Sequence, residues 1–548
     1  MYNNRMVNER EAWQLKRQHS AEKLALAKLV IMDLESGEGL RNALRAHPLP
    51  GGEGFLAKHT LVAAYKEMIA DGEIEDSPEL LAQIRMKPIR TLSGVTTITV
   101  LTKPAPCPGT CIFCPNVPGM PQSYLPDEPG ARRGLENDFD PYRQVSSRLR
   151  ALDEVGHPTD KIELLILGGS WNAYSHQYRE WFVRRCFEAL NEENKDDNIK
   201  CATLESAQAY NVYGTHRNVG LVIETRPDLI TRDSLLELRR MGVTKIQIGV
   251  QSMNDEILRL NHRGHSVDLV IAAVKLIRAG GFKLVVHWMP NLLGATLESD
   301  RKDFELLWRE GSVQPDELKI YPCQLLKSAE LYQYWQRGEY KPYTERELVN
   351  LLADIKPVVP IYCRINRIIR DIPSQNVVEG NKTTSLRQNV AEELEHRGTR
   401  CHCIRCREVR TIRVKASELT LNDFSYQANG AVEHFISFDT PGGDLAGFLR
   451  LSLPMERNLL NTPDLDGAAI IREVHVFGQS LEVGTEQSGA AQHTGLGRKL
   501  IEKAQSIASS QGYQRLAVIS AVGTRAYYAA RGFVEGSLYM VKDIKKPA

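Results

Sequence analysis

Short apolar runs alternate with amphipathic segments between about residue 90 and residue 370. Alternation at this spacing is typical of repeated βα units. The runs are apolar almost throughout, which indicates strands of a parallel sheet that is buried on both faces. About six units predict an α/β region in which the sheet curves into a partial (β/α)6 barrel. The predicted strands are Thr97–Thr102, Ile162–Leu167, Gly220–Thr225, Lys245–Val250, Lys283–His287 and Glu317–Tyr321.

Two of the intervening helices have both ends marked in the sequence. Thr231 is a candidate N-cap for a helix that stops at Gly242, and Ser266 is one for Val267–Ala279. Gly280 follows the second helix, as glycine commonly does where a helix ends. These signals place the helices between successive strands of the sheet.

The first 85 residues are predicted to be helical, with segments at Glu9–Leu34, Ala57–Ile69 and Pro78–Met86. Basic residues are interleaved with the apolar ones in the first segment. They form either a solvated face or a phosphate-binding surface, and the second interpretation makes residues 1–85 a region that binds nucleic acid.

Residues 416–548 are predicted to form a separate α+β domain. Four strands, at Asn422–Gln427, His434–Phe438, Ala446–Leu453 and Ile470–Phe477, precede Gln492-His493-Thr494-Gly495-Leu496-Gly497-Arg498 and a helix. Backbone N–H groups of Gly495, Leu496, Gly497 and Arg498 can bind a pyrophosphate at the start of that helix. A further strand, Ala517–Ser520, and the pairs Tyr527-Tyr528 and Gly532-Phe533 follow.

Length and charge limit the possible classes of protein. The chain has 548 residues, which is too long for one core and indicates three or four units. The net charge of +1 means that nucleic-acid binding depends on local basic patches. A secretory segment and a membrane-spanning apolar run are both missing from the sequence, so we expect a cytoplasmic protein without membrane contact.

Six of the ten cysteines fall in two tight groups, which indicates metal ligands in a reducing compartment. Cys107, Cys111 and Cys114 are spaced C-x₃-C-x₂-C in a loop rich in proline and glycine. This spacing suits three ligands of a 4Fe-4S cluster, whose fourth iron keeps an open site. The alternatives are a zinc site that lacks its fourth ligand, or chance clustering.

A glycine pair and several polar residues stand at the ends of predicted strands. They are Gly168, Gly169 and Ser170 after the second strand, Glu224 at the end of the third, Gln251 after the fourth and His287 at the end of the fifth. Each is more often structural when it is considered singly. Because the carboxyl ends of parallel strands meet at one rim of a barrel, together they predict a binding site there, beside the cysteine loop.

Residues 371–415 are predicted to form a small basic linker that binds zinc. Cys401, Cys403 and Cys406 are spaced C-x-C-x₂-C, which suits a structural zinc ion with one further ligand. Cys363 is the favoured fourth ligand, ahead of His396 and His402. A group of free thiols is the alternative. The many arginines of this stretch are expected to contact phosphates.

With these motifs in view, the chain resembles a known family. Cys107/Cys111/Cys114 is similar to the radical S-adenosylmethionine (SAM) signature, the Gly168–Ser170 motif to the methionine-binding motif of that superfamily, and the tail to GNAT acetyltransferases. The catalytic subunit of Elongator and its stand-alone prokaryotic relatives join these domains in this order. The resemblance covers about residues 80 to 548 and includes Asp160–Glu163, Ile223–Asp228, Gly249–Ser252, Arg263–His265, Arg370–Pro373 and Gly523–Tyr528.

The resemblance implies a radical SAM domain over residues 86–370, a GNAT domain, and a tRNA enzyme. Such an enzyme uses a one-electron reductant, SAM and acetyl-CoA to install a carboxymethyl group on carbon 5 of the wobble uridine in the anticodon loop. By the same resemblance, Lys161 reaches the thioester from the radical SAM domain and Tyr528 lines the acetyl-CoA site. The strand Glu473-Val474-His475-Val476 lies beside the pantetheine arm, and Glu224 and Gln251 are candidate cofactor-binding residues of the rim.

Three other functions would each use only part of these features. A protein lysine acetyltransferase would use the GNAT domain alone, and a methyl- or methylthio-transferring radical enzyme would not need an acetyl-CoA loop. A non-catalytic tRNA-binding scaffold would need neither chemistry. The cysteines at 401, 403 and 406 are not shared by every member of the family, so their zinc ion is predicted from spacing alone. No feature of the sequence requires a protein complex.

Overall fold

The structure is a computed structural model that describes residues 19–50, 54–87, 91, 93–192, 200–383, 385–410, 414–477 and 495–544. Its first part is a group of helices with a core of their own. Ser20 caps the first of them, which begins at Ala21; residues 9–18 of the predicted helix lie outside the described residues. The helices are α1 (Ala21–Glu35), α2 (Leu40–Ala46), α3 (Lys58–Ala70) and α4 (Pro78–Ile84).

The central part is a sheet of seven strands that lie in sequence order, every neighbouring pair parallel. The six predicted strands are confirmed, with ends that differ by up to three residues. The seventh strand was not predicted, because four residues reading Arg-Ile-Asn-Arg carry too weak an apolar signal. The strands are β1 (Thr96–Leu101), β2 (Lys161–Leu167), β3 (Arg217–Thr225), β4 (Lys245–Gln251), β5 (Lys283–Trp288), β6 (Glu317–Ile320) and β7 (Arg364–Arg367).

The helices of this part connect consecutive strands, as right-handed βα units require. Thr231 and Ser266 cap their helices, as predicted, and the second of these helices spans Val267–Ala279 with Gly280 at its end. The helices are α5 (Pro129–Glu136), α6 (Pro141–Asp153), α7 (His176–Leu190), α8 (Leu204–Asn211), α9 (Arg232–Arg240), α10 (Asp255–Leu260), α11 (Val267–Ala279), α12 (Leu297–Leu306), α13 (Leu331–Gln336) and α14 (Glu345–Ile355). Two short helices follow β7, α15 (Leu386–His396) and α16 (Ile404–Arg407).

The C-terminal part is a second seven-stranded sheet, in the order β13-β14-β12-β11-β10-β9-β8. Among the described strands of this sheet, only β11 and β12 pair in parallel, over Ala468–Ile471 and Arg515–Val518. The predicted order of strand, helix and strand is confirmed, and the hairpin of β13 and β14 was not predicted. The elements are β8 (Thr420–Ala428), β9 (Ala431–Asp439), β10 (Leu445–Pro454), β11 (Ala468–Val476), α17 (Leu496–Ser510), β12 (Arg515–Val518), α18 (Arg525–Ala529), β13 (Val534–Glu535) and β14 (Met540–Asp543).

The C-terminal sheet packs against the barrel at the end where the barrel strands begin. Arg239 of α9 donates to the carbonyl oxygens of Ser520 and Leu538, at 2.7 and 2.9 Å. A Cβ atom on Gly523 would lie 2.6 Å from Cβ of Arg217, the first residue of β3. The apolar cores of barrel and C-terminal sheet form one continuous cluster. In the part of the chain that the structure describes, no helix is long and apolar enough to cross a membrane.

Candidate active site

The cysteine loop lies between β1 and α5, at the carboxyl end of the barrel strands. All three cysteine side chains are partly exposed. Two backbone hydrogen bonds of Ile112 hold the loop: its N–H donates to the carbonyl of Asn261 at 3.4 Å, and its carbonyl accepts from N–H of Leu331 at 2.8 Å. The loop is therefore fixed by segments that follow β4 and β6.

Each sulfur of the loop accepts a hydrogen bond, which suits a thiolate ligand. Burial raises the pKa of Cys114 to about 11, so this sulfur keeps its proton at neutral pH unless a metal replaces it. Because each sulfur accepts a hydrogen bond, the three cysteines fit the ligands of an iron–sulfur cluster. The donors are N–H of Gly109 to Cys107 (3.4 Å), Nη1 of Arg263 to Cys111 (3.3 Å) and Nε2 of Gln122 to Cys114 (3.5 Å).

The glycine motif after β2 lies beside this loop. Gly168 and Gly169 have backbone φ values of 127° and 103°, which residues with a side chain rarely adopt. A Cβ atom on Gly168 would lie 2.0 Å from Oγ1 of Thr102, at the end of β1. Ser170 is buried, and its Oγ lies 3.9 Å from Sγ of Cys107. The motif therefore brings backbone without side chains and one hydroxyl group next to the first cysteine.

A chain of close polar contacts crosses the inside of the barrel. Oε2 of Glu224 accepts from the hydroxyl of Tyr124 at 3.1 Å, and Oε1 lies 3.5 Å from Nδ1 of His287. Nε2 of His287 lies 3.0 Å from Oε1 of Gln247, which also accepts from Nζ of Lys319. The sequence predicted Glu224 and His287 for this rim and missed the other three.

Burial changes the titration of this group. It lowers the pKa of Lys319 to about 8, with further lowering by Arg367. It also lowers the pKa of His287 well below its ordinary value, and the charge of Lys319 adds to this effect. Polar residues at alternating positions of apolar strands were the available signal for Gln247 and Lys319. Their hydrogen-bond partners depend on the register between strands, and the sequence pattern does not predict that register.

A single cavity of about 1040 Å³ joins the barrel to the C-terminal domain. Its lining runs from Cys114 and Glu224 through Lys319 and Lys245 to Tyr528. The two ends of the cavity therefore lie at the cysteine loop and at the C-terminal sheet. The predicted site residues that line it are Cys114, Glu224, Gln251, His287, Glu473, Val474, His475 and Tyr528.

Lys161 stands at the other mouth of the barrel. It is the first residue of β2, and its side chain is 14% exposed with Nζ 3.8 Å from Asp160. In a strand, alternate side chains share one face. Glu163 and Leu165 line the cavity, so Lys161 belongs to the same face, at the end where the C-terminal domain packs.

The second half of β11 extends beyond its pairing with β12. The two strands pair only as far as Ile471, whereas β11 continues to Val476. The Glu473 side chain does not extend into free space: it accepts from Nζ of Lys283 at 3.0 Å and from Nε of Arg450 at 2.9 Å. The predicted cofactor strand is therefore also a contact with the barrel.

Two aromatic groups flank this part of β11. His475 lies between Phe448 and Phe477, with ring centroids 5.8 and 4.5 Å away. Burial lowers the pKa of His475 to about 4, so its imidazole is neutral at physiological pH. Tyr528 is buried and packs edge-on against Phe533 at 5.7 Å. Its buried surroundings raise its pKa above the ordinary value.

The predicted pyrophosphate loop precedes α17. Gly495 has a φ of 71° and starts the helix without a side-chain cap, and Leu496 is buried. A Cβ atom on Gly497 would lie 2.6 Å from the hydroxyl oxygen of Tyr527. Arg498 is exposed and lies 3.4 Å from Glu502. The first three residues of the motif, 492–494, lie outside the described residues.

The second cysteine group is compact. Within the described ranges, only Cys401, Cys403 and Cys406 form a group of at least three candidate ligands whose ligand atoms all lie within 4.8 Å of one another. Cys363 is fully buried, and its carbonyl accepts from N–H of Ile404 at 2.9 Å, but its sulfur is not part of that group. Three thiols at this separation suit one metal ion better than a cluster of several.

Comparison with known proteins defines the class first. Residues 106–307 match the Radical SAM superfamily, and residues 315–396 match the Radical SAM C-terminal domain. Together with the parallel half-barrel and the cysteine loop, these matches make the chain a radical SAM enzyme. Enzymes with this fold carry a 4Fe-4S cluster and bind SAM.

The particular family follows from whole-chain relatives. The tRNA uridine(34) acetyltransferase of Methanocaldococcus infernus is 39% identical over 487 residues, covering 86% of this chain and 89% of that protein. The protein of the same name from Dehalococcoides mccartyi is 40% identical over 460 residues, covering 83% and 99%. Human Elongator complex protein 3 is 34% identical over 485 residues, covering 85% and 87%.

A solved structure agrees with these relatives. The archaeal Methanocaldococcus infernus Elp3 with an N-terminal deletion superposes with a TM-score of 0.71 at 36% identity, covering 82% of this chain and 99% of that one. The chain belongs to the family of Elongator complex protein 3 and the tRNA uridine(34) acetyltransferases.

Proposed function

We propose that the protein modifies the wobble uridine of tRNA, by installing a carboxymethyl group on carbon 5 with SAM and acetyl-CoA. The names of its relatives support a tRNA uridine substrate. The single observation that carries the rest is the cavity that joins the cysteine loop to the C-terminal sheet. A radical formed at one end and an acyl group held at the other would share one cavity, which limits the contact of a reactive species with bulk solvent.

The barrel end would hold the radical-forming cofactors. Cys107, Cys111 and Cys114 are the proposed cluster ligands, and the Gly168–Ser170 motif is the proposed site for the methionyl part of SAM. When bound and reduced by one electron, these cofactors supply a 5′-deoxyadenosyl radical. Glu224 and Gln251 line the same end of the cavity, where they would orient the nucleoside part of SAM.

The end of the cavity at the C-terminal sheet would hold acetyl-CoA. The uncapped start of α17 at Gly495 is the proposed pyrophosphate site, since helix N-termini bind anions through their N–H groups. Residues 473–476 of β11, which lie beyond its pairing with β12, would lie beside the pantetheine arm. Tyr528 lines the cavity, and Lys161 faces the same mouth of the barrel, so both are proposed to contact the thioester end.

The tRNA would reach the cavity from outside with its uridine unstacked, because a base inside a helical stack cannot enter an enclosed site. The arginines at 364, 367, 370 and 405 line part of the cavity. Guanidinium groups bind phosphates in a bidentate manner, which supports a role for these arginines in tRNA binding. The N-terminal helices are proposed as a second tRNA-binding region. We also propose a zinc ion on Cys401, Cys403 and Cys406, with Cys363 as the fourth ligand.

The test is anaerobic reconstitution with iron and sulfide, followed by reaction with SAM, acetyl-CoA, a chemical one-electron reductant and total tRNA. Nucleoside mass analysis should find carboxymethyluridine in the tRNA. The matched variant Cys111→Ser should form none, whereas Cys201→Ser, a cysteine outside both groups, should form as much as the wild type. Absence of carboxymethyluridine with a fully loaded cluster would overturn the proposal.

The alternative, a lysine acetyltransferase that uses the C-terminal domain alone, is not favoured. The C-terminal core is continuous with that of the barrel, and Lys283 of the barrel pairs with Glu473 of the proposed cofactor strand. The same Cys111→Ser variant tests the alternative. Transfer of acetyl groups to lysine peptides that persists at the wild-type rate in this variant would support it.

A further inference from the structure

Arg263 is a buried arginine next to the cysteine loop. It follows α10 and is 6% exposed. Its Nη1 donates to Sγ of Cys111 at 3.3 Å, and its Nη2 donates to the carbonyl of Gly249 at 2.6 Å. Its Nε is buried without a partner. No carboxylate among the residues that the structure describes pairs with this guanidinium.

A neighbouring arginine shows the contrast. Arg226 lies on Gly109 of the same loop, since a Cβ atom on Gly109 would be 2.0 Å from its Nη1. Its Nε donates to both carboxylate oxygens of Asp228, at 2.8 and 3.2 Å. The charge of Arg226 is therefore compensated within the protein, and the charge of Arg263 is not.

A buried charge without a counter-charge is costly, so the partner of Arg263 must be identified. Among the described residues, the sulfur of Cys111 is the only atom in hydrogen-bonding distance of Arg263 that becomes negatively charged when it binds a metal. A cluster bound through three thiolates spreads negative charge over its sulfurs and irons. No described carboxylate pairs with Arg263. The bound cluster would therefore be its counter-charge, and Arg263 is placed to neutralise it.

We propose that Arg263 is a positioning residue that raises the reduction potential of the cluster. The inference rests on the proposed cluster ligands. Reduction adds one electron from an external one-electron donor, and no bond forms or breaks in that step. The added negative charge is stabilised by a fixed positive charge and by hydrogen bonds to the ligand sulfurs, which are known determinants of cluster potential. Gln122, a neutral donor 3.5 Å from Cys114, has a smaller effect of the same sign.

The fork of Arg263 also fixes the cluster loop in place. One arm contacts the end of β4 and the other contacts the loop, and its own carbonyl accepts from Nη2 of Arg226 at 2.9 Å. Lysine has the charge but a single donor group, so it cannot make both contacts in this geometry. Arg263→Lys therefore separates the effect of charge from that of the two-armed contact.

The experiment is a potentiometric titration of the reconstituted cluster, followed by electron paramagnetic resonance and performed without SAM. Iron content and thermal unfolding are measured on each variant first. We expect a more negative midpoint potential in Arg263→Met, a smaller shift in Arg263→Lys, and the smallest in Gln122→Leu. The matched control is Arg259→Met, since Arg259 is 68% exposed and pairs with Glu256; solvent screens its charge, so its midpoint should equal that of the wild type.

An unchanged midpoint in a fully loaded Arg263→Met protein would overturn the proposal. If that variant instead shows weaker SAM binding at an unchanged potential, Arg263 is a ligand of the SAM carboxylate and the proposal is wrong. Should Arg263→Met assemble no cluster, the midpoint potentials of Arg263→Lys and Gln122→Leu are compared with that of the wild type. More negative midpoints in these two variants support the proposal, and unchanged midpoints overturn it. Failure of the proposed function has another signature: a wild type that assembles no cluster, or that yields no modified uridine at any potential.

Discussion

Nε2 of His287 lies 3.0 Å from Oε1 of Gln247, and this contact determines the tautomer of the imidazole. The same oxygen accepts from Nζ of Lys319. A lysine ammonium has no acceptor, so the amide must present its oxygen to both nitrogens. Nε2 of His287 therefore carries a hydrogen atom, and Nδ1 faces Oε1 of Glu224 at 3.5 Å.

The first prediction concerns the charge of His287. Burial and the charge of Lys319 lower the pKa of His287 well below its ordinary value, so the ring should stay neutral over roughly pH 5 to 8, where histidines usually titrate. Nitrogen NMR of histidine-labelled protein should show a ring with Nε2–H that does not titrate in this range. His287→Asn assigns the signal.

Removal of the neighbouring charge provides the control. In Lys319→Met the pKa of His287 should rise, because burial remains and the second cause of the lowering is gone. A wild-type signal with a midpoint near the ordinary histidine value would contradict this account of the barrel interior.

Lys319 itself gives the second prediction, a gain of stability at the expense of activity. Its pKa falls from 10.5 to about 8 on folding, which corresponds to about 3 kcal/mol of destabilisation while the side chain is charged in both states. Lys319→Met should therefore be more stable than the wild type at pH 7, as measured by denaturant unfolding. Product formation should fall by about a hundredfold, a typical effect of losing a preorganised donor in an enclosed site.

The pH dependence of stability has a defined sign. Between pH 8 and 10.5 the unfolded wild type binds the lysine proton that the folded protein has lost, so wild-type stability should rise with pH through this window. Lys319→Met should lack this rise. The exposed Lys302→Met, on the surface of α12, should retain it together with full activity. A Lys319→Met protein that is less stable at pH 7 would contradict the prediction.

The third prediction concerns the contact between the two large domains. Asp316 precedes β6 of the barrel, is fully buried, and accepts from two nitrogens of Arg472 in β11, at 2.6 and 2.7 Å. Arg450 lies 3.4 Å away on the same side. Asp316→Asn leaves two buried guanidinium groups without this carboxylate, so the free energy of unfolding should fall by about 3–5 kcal/mol.

Acid should have a related effect on the wild type. Arg472 and Arg450 hold the pKa of Asp316 well below its ordinary value despite its burial. The carboxylate therefore contributes stability above the unfolded-state pKa, and this contribution is lost as the pH falls through the lowered folded-state value.

Asp543→Asn is the matched control for Asp316→Asn. Asp543 is 84% exposed and pairs with Arg515, so its loss should change stability by less than about 1 kcal/mol. Equal effects of the two substitutions would contradict the prediction.

Local signals in the sequence were sufficient for most of the fold. The strands of the barrel are apolar because both faces are buried, and Ser266 and Gly280 mark the ends of α11 without any tertiary information. Strand β7 and the hairpin of β13 and β14 were missed. These strands have four residues or fewer, and their stability comes from the neighbouring strands and not from a pattern of their own.

The candidate site was most fully predictable where residues adjacent in sequence form it. The cysteine loop and the glycine motif are continuous segments. The chain from Tyr124 to Lys319 is not: it links residues that are up to 195 positions apart through strand register. Glu473 was predicted as part of a cofactor strand, and its ion pair with Lys283 depends on the packing of two domains, which no spacing within either domain encodes.

The fourth prediction tests the second metal site. The ligand atoms of Cys401, Cys403 and Cys406 lie within 4.8 Å of one another, so the purified protein should contain one zinc ion per chain besides its iron. Cys403→Ser should lose the zinc and also stability, because a structural zinc site contributes folding free energy. Cys363→Ser should lose zinc as well if that buried thiol completes the site. Cys186→Ser, a buried cysteine in α7, is the matched control and should keep the zinc. Elemental analysis measures both metals in each variant, and a Cys403→Ser protein with the zinc content of the wild type would exclude the site.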